Sequence, residues 1–247
     1  MLKQSSFGAV LFFGLATVGV GSDAPPSGAA NANIILQEIV RDNDAFVKGH
    51  KADDFAAIAS GQKPRATLVM CSDSRVHTQA FDKTPDGDLF VIRNIGNQFE
   101  TAQGSIEYGV HHLHTPLLLI VGHVGCGAVK AAMGDYAGLE APIKRELDTL
   151  KVPAGKPGAG FDAQWLDNVK INVDAQVDDA LKYFAQDVKA GKVNVVGAVY
   201  DFRNDFKQGN GKLVITNING EKDQNKIKQS PLLKTATAAA TAAPHQH

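Results

Sequence analysis

Two short stretches carry residue types from which chemistry can be built. "CSDSRV" sets Cys71, Asp73 and Arg75 at alternate positions, and "GHVGCG" sets His123 three residues before Cys126. These two cysteines are the only ones in the chain. Two thiols and one imidazole form one of the three-ligand sets that hold a catalytic zinc ion and leave its fourth position open. Both sulfurs would then bind as thiolates. Asp73 and Arg75 can form a strong bidentate pair. Beside zinc, the Asp73 carboxylate would accept a hydrogen bond from a metal-held water or hydroxide and orient it, or turn in as a fourth ligand. Charge counting adds a consequence. Two thiolates and a neutral imidazole cancel Zn²⁺, so hydroxide should form at higher pH than on zinc held by three neutral histidines. A reaction driven by that hydroxide should rise above neutral pH.

Plainer readings exist. An exported chain can join Cys71 to Cys126 in a disulfide. Alternatively, both are buried free thiols and His123 is a satisfied core histidine. Asp73–Arg75 alone would be an ordinary ion pair. None of these uses the whole set of Cys71, Asp73, Arg75, His123 and Cys126, which is what points to a metal site.

The elements that must bring these residues together follow from periodicity. "ATLVMCS", "DLFVIRN", "PLLLIVGH" and "VNVVGAVYDF" are continuous apolar runs of strand length, as expected for strands buried on both faces. Between them "TAQGSIEYGVHHLH", "GAVKAAMGDY" and "WLDNVKINVDAQVDDALKYFAQDVKA" read as helices. The last places Leu166, Val169, Val173, Val177, Leu181 and Phe184 along one face. "NANIILQEIVRDNDAFVKGH" and "ADDFAAIAS" read as two further helices near the start, and "KLVITNI" after "GNG" as an edge strand entered by a turn. "VPAGKPGAGFDAQ" is a Gly/Pro loop within the domain. The class is α/β: a mostly parallel sheet of about four strands with helices on both faces. Ligands of such sheets sit beyond the carboxyl ends of the strands. Cys71 and His123 each close a run and Cys126 opens the next turn, so all three fall on one edge. Gly122, Gly125 and Gly127 lack the ending of a phosphate loop and are expected to permit tight turns around the metal.

The pair "CSDSRV" and "GHVGCG", with "RNIGN" (Arg93 to Asn97) and "SIEYGV" (Ser105 to Val110), resembles the β-class carbonic anhydrases over roughly residues 31–218. The resemblance implies one Zn²⁺ per chain, held by Cys71, His123 and Cys126, with Asp73 and Arg75 as the catalytic dyad. It implies reversible hydration of CO₂ to bicarbonate and a proton by attack of zinc-bound hydroxide. It also implies an antiparallel edge strand, and homodimers or higher oligomers whose N-terminal helices wrap a neighbour. Gln62, Phe90, Ile95 and Tyr108 fall where members line the substrate pocket. One departure stands out. Where some bacterial members have a tryptophan three residues before the first ligand, as part of an inhibitory bicarbonate site, this chain has Leu68, so that site is expected to be absent. The same zinc chemistry would serve hydrolysis of carbonyl sulfide or carbon disulfide, and a zinc-binding or redox protein without turnover is the remaining alternative.

Composition sets outer limits. The 247 residues are 44% hydrophobic and 21% charged with net charge −1, so nothing points to nucleic acid or an acidic membrane surface. Residues 1–30 combine one early lysine, an apolar run and a Pro/Ser/Gly/Ala stretch, the pattern of a signal peptide with a flexible mature start. Export, to the periplasm in a Gram-negative host, follows from that pattern, with no membrane attachment after cleavage. Residues 31–220 form a single catalytic domain, and 221–247 an extension ending in the low-complexity "TATAAATAAPHQH". "HHLH" (His111, His112, His114) ends a predicted helix, where imidazoles suit the dipole. One of these, or His77, is a candidate proton shuttle.

Overall fold

The computed structural model describes residues 32–84 and 86–234. The N-terminal stretch read as a signal peptide and the low-complexity tail lie outside the described residues. Among those described, no helix is long and apolar enough to cross a membrane.

The apolar runs form strands β1 (Ala66–Cys71), β2 (Leu89–Asn94), β3 (Leu117–His123), β4 (Asn194–Asp201) and β5 (Lys212–Ile218). They make one sheet in the order β2-β1-β3-β4-β5. The first four are mutually parallel, and β5 pairs antiparallel with β4 across a bulge at Gly197/Ala198. Every residue of β1 is buried, which accounts for its unbroken apolar run.

The helices are α1 (Ala32–Lys48), α2 (Ala52–Ala59), α3 (Gln103–Glu107), α4 (Gly127–Ala132), α5 (Ala141–Leu147), α6 (Phe161–Tyr183), α7 (Ala185–Lys189) and α8 (Gln224–Gln229). On one face of the sheet, Val69, Ile92, Leu118, Ile120 and Val195 pack against Ile106 of α3, Val177 of α6 and Phe184. On the other, Leu68, Met70, Leu119, Val121 and Val196 pack with Ile227 of α8. The expected stripe of α6 is therefore real: Val169, Val173 and Val177 are buried. Glycine lets α6 approach closely. A Cβ on Gly122 would stand 2.6 Å from Val173 Cγ2, and one on Gly197 would stand 2.7 Å from Val173 Cγ1.

Three differences from the sequence reading have local causes. The helix at "TAQGSIEYGVHHLH" is interrupted: α3 passes into a π-helical turn at Tyr108–His112. The long helix breaks at Phe184, which buries its ring and separates α6 from α7. α5 and α8 are too short to display a period, yet both have legible starts. α5 carries proline in its first turn, and the Asp223 carboxylate accepts hydrogen bonds from the Asn225 and Lys226 amides to cap α8.

Helix α1 stands apart. None of its residues is buried, although Ile34, Ile35, Leu36, Ile39, Val40, Phe46 and Val47 are all large and apolar.

Candidate metal centre

β1 and β3 are parallel neighbours, so their carboxyl ends lie at one edge of the sheet. Cys71 ends β1, His123 ends β3, and Cys126 precedes α4 after a turn in which Gly125 takes φ +67°. All three are buried, and their donor atoms lie within 4.8 Å of one another. This is close to the spread that one zinc ion bridges with bonds of about 2.0–2.3 Å. Both cysteines are free thiols, not a disulfide. Among the described residues this is the one group of histidine, cysteine and carboxylate side chains placed to share a metal.

The histidine is set up as a ligand. Its Nδ1 lies 3.0 Å from the Val124 carbonyl, which can only accept, so Nδ1 carries the proton. Nε2 is then a bare lone pair, and it is fully buried with no hydrogen-bond partner among the described residues. A buried acceptor left unpaired costs about 1–3 kcal/mol unless something occupies it. A cation between the two sulfurs would do so. The thiols tell the same story. Cys126 hydrogen-bonds Cys71, which pulls the Cys71 thiol well below its ordinary range and pushes Cys126 far above. Without a metal the pair holds one proton between two sulfurs. A divalent metal replaces it and stabilises both thiolates.

Asp73 and Arg75 stand beside the cluster as a locked pair. Arg75 Nε donates to Asp73 Oδ1 at 2.9 Å and Nη2 donates to Oδ2 at 2.7 Å. The Arg75 amide also donates to Oδ1. These bonds, chiefly the side-chain ones, hold the Asp73 carboxyl down at about 2. Its Oδ2 lies 3.7 Å from His123 Nε2. Arg75 is itself anchored: Nη2 reaches the Gly125 carbonyl at 3.2 Å, and the guanidinium lies 5.0 Å from the Phe202 ring centroid. That ring also stacks near His123, with centroids 6.1 Å apart.

Several residues in this scaffold had no role in the sequence reading. Arg93 bonds the carbonyls of Cys71, Asp73 and Val76, fixing the turn that carries the dyad. Trp165 donates its indole N–H to the Cys126 carbonyl at 2.9 Å. The Gly96 amide donates to Cys71 Sγ at 3.5 Å. Of the three glycines expected to make turns, only Gly125 has a positive φ. Gly122 is needed for the approach of α6, and a Cβ on Gly127 would meet nothing within 4 Å.

Of the four residues expected to line a pocket, only Ile95 is brought near the cluster within one chain. Ile95 directly follows Asn94, the register partner of Cys71, and adjoins the site. Phe90 pairs with Thr67 near the far end of β1, roughly 13 Å along the strand from Cys71. Tyr108 lies against it, ring centroids 5.8 Å apart, and is 46% exposed. Gln62 is exposed and precedes that same far end of β1. The reason is register: parallel pairing puts the start of β2 beside the start of β1. Among the histidines, His111 binds Glu107 and Asp187, and His112 stacks on Tyr108. His77 is exposed and faces Gln79. Leu68 is a buried core residue.

Residues 66–209 match a family model described as carbonic anhydrase. This chain belongs to the β-carbonic anhydrase family. A relative named carbonic anhydrase 2, from Mycobacterium tuberculosis, is 42% identical over 98 residues, covering 37% of this chain and 47% of its own length. The chain thus spans about half of that relative. A carbonic anhydrase of Mycolicibacterium smegmatis is 33% identical over 156 residues, covering 59% of this chain and 74% of its own. The solved structure of a Coccomyxa β-carbonic anhydrase in complex with acetazolamide superposes with TM-score 0.57 and 27% identity, covering 69% of this chain and 82% of that one. β-Carbonic anhydrases are zinc enzymes, and the buried Cys71–His123–Cys126 set fits that ion.

Proposed function

We propose that the chain hydrates CO₂ reversibly to bicarbonate and a proton. The observation that carries this reading is the unpartnered Nε2 of His123, aimed at two thiols beside a locked carboxylate–guanidinium pair. Cys71, His123 and Cys126 would hold zinc, which would supply a Lewis acid that lowers the pKa of a water molecule and makes it nucleophilic.

The remaining work falls to the chain's own residues. Asp73 stays ionised throughout the physiological range and is therefore an acceptor only. It takes a hydrogen bond from the nucleophile at Oδ2, so that the oxygen's free lone pair faces the carbon of CO₂. Arg75 keeps Asp73 in that role by engaging both its oxygens and by tying the pair to the Gly125 carbonyl. Orientation of this kind is worth orders of magnitude in rate.

The assembly that best fits these residues is a homodimer or higher homo-oligomer. Gln62, Phe90 and Tyr108 are remote from their own metal cluster, so as pocket residues they serve the site of a neighbouring copy. Helix α1 offers an apolar stripe that nothing among the described residues covers. The N-terminal pattern supports export.

Stopped-flow CO₂ hydration by the zinc-loaded protein at about pH 8.5 tests the activity, because two thiolates raise the pH at which the nucleophile forms. Asp73→Ala should retain zinc and lose at least about 10²-fold in kcat. Zinc bound without CO₂ turnover would sink the assignment and direct attention to carbonyl sulfide and carbon disulfide.

A further inference from the structure

Helix α6 carries a second pattern, written on its apolar face. Asn168, Asn172 and Gln176 recur every fourth residue among the valines, and all three are at least 95% buried. Buried amides are costly unless satisfied, so their partners indicate what they are for. Asn168 donates to the Pro153 carbonyl. The other two point to the metal end of the sheet.

Their orientation is dictated by one backbone donor. The Phe99 amide lies 2.7 Å from Gln176 Oε1, so Gln176 must present its oxygen there. Its Nε2 then faces Asn172 Oδ1 at 3.1 Å. That leaves Asn172 Nδ2 to donate to the Gly96 carbonyl at 2.9 Å. A flip of either amide would set donor against donor at Phe99 or acceptor against acceptor at Gly96. The preceding carbonyl, of Ile95, is held by Gln98 Nε2 at 2.7 Å. Both peptides that meet at Gly96 are thus fixed, and with them the direction of the Gly96 N–H, which donates to Cys71 Sγ. Gly96 sits at φ +82°, a conformation that glycine adopts without steric cost.

We propose that Asn172 and Gln176 are positioning residues for the metal centre, a buried relay from α6 that keeps the Gly96 amide on the Cys71 sulfur. An N–H donated to a ligand thiolate draws charge from the sulfur and tunes the ion that the sulfur binds. The relay therefore sets both metal affinity and the acidity of the site from a helix that touches no ligand side chain through these amides. This rests on the reading of Cys71 as a metal ligand.

The test uses the full chain loaded with ¹¹³Cd and labelled with ¹⁵N. Scalar coupling from cadmium to the Cys71 and Cys126 β-protons reports the metal site, and coupling to the Gly96 amide proton reports the N–H···S bond. Both are expected. Cadmium coupled to Cys71 but not to Gly96 overturns the relay and leaves the metal site intact. No coupling to Cys71 overturns both. Asn172→Leu, similar in volume, should abolish the Gly96 coupling and weaken zinc binding about ten-fold in a chelator competition. Asn168→Leu should leave both unchanged. Gln176→Met cuts the relay one link further back and gives the same reading if Asn172→Leu does not fold. Gly96 coupling that survives in the folded variants, or is lost equally in Asn168→Leu, overturns the proposal.

Discussion

The carboxyl edge of the sheet and helix α1 are finished to different degrees. Around Cys71 the backbone is tied down from several directions: Arg93 holds three carbonyls, Trp165 holds the Cys126 carbonyl, and Arg75 holds both oxygens of Asp73. Along α1 no residue is buried, and its seven large apolar side chains are each 45–61% exposed. A metal site has to be rigid within its own chain, because ligand geometry is set by neighbours that do not move. An apolar helix face is not finished until something covers it. The contrast is between a part of the molecule tied down within one chain and an apolar face left exposed among the described residues.

Four measurements break or sharpen that contrast. Cys126→Ser should have the largest effect. It removes a thiolate from a fully buried donor set, so zinc per chain should fall from one towards zero by elemental analysis, and CO₂ turnover should go with it. Zinc at full occupancy in this variant would break the picture of a closed metal end. Next, Ile35→Asp with Ile39→Asp charges the exposed stripe of α1. The assembly should dissociate by light scattering while zinc stays bound, and each chain's own stability should change by under about 0.5 kcal/mol. Unchanged mass would mean that α1 is not an interface.

Gly122→Ala probes the packing beneath the metal end. The new methyl meets Val173 at 2.6 Å, and α6 cannot retreat without disturbing Gly96. A loss of about 1–3 kcal/mol is expected in denaturant unfolding. The smallest effect belongs to His111, which joins the π-helical turn to α7. Asp187, then Glu107, hold its pKa above the ordinary 6.5; in return it lowers that of Asp187, and Glu107 is lowered first by the Tyr183 hydroxyl and then by His111. A raised imidazole pKa stabilises the fold fully below 6.5, and that contribution fades as pH rises through the folded value. The two lowered carboxylates act in the opposite sense and lose their share as pH falls through their own folded values. The Tm difference between wild type and His111→Gln should therefore be greatest between the two ranges and shrink on either side. A pH-independent difference would mean that the contact is packing alone.

Much of this was readable in the chain. Four strands are apolar runs of the right length, the fifth is legible as an edge strand after a turn, and the ends of β1 and β3 predict where Cys71, His123 and Cys126 meet. The valine stripe of α6 is legible in the sequence, but the purpose of its amides at every fourth residue is not. Only the loop of Gly96 and Phe99, brought against α6 from more than seventy positions away, gives them a purpose. A periodic polar signal on an apolar face was the clue available beforehand. The residues expected to line a pocket rest on motif, and motif says nothing about register. Parallel pairing put Phe90 level with Thr67, away from Cys71.

The sequence by itself therefore determined the strands, the donor set and the dyad, because each depends on residue type and short spacing: alternate positions for Asp73 and Arg75, three residues between His123 and Cys126. Tertiary structure alone decided how those groups are tuned. The direction of the Gly96 N–H depends on amides of a distant helix, and the place of Phe90 depends on strand register. Each is a contact between residues remote in sequence, and local pattern carries no record of which remote groups will meet.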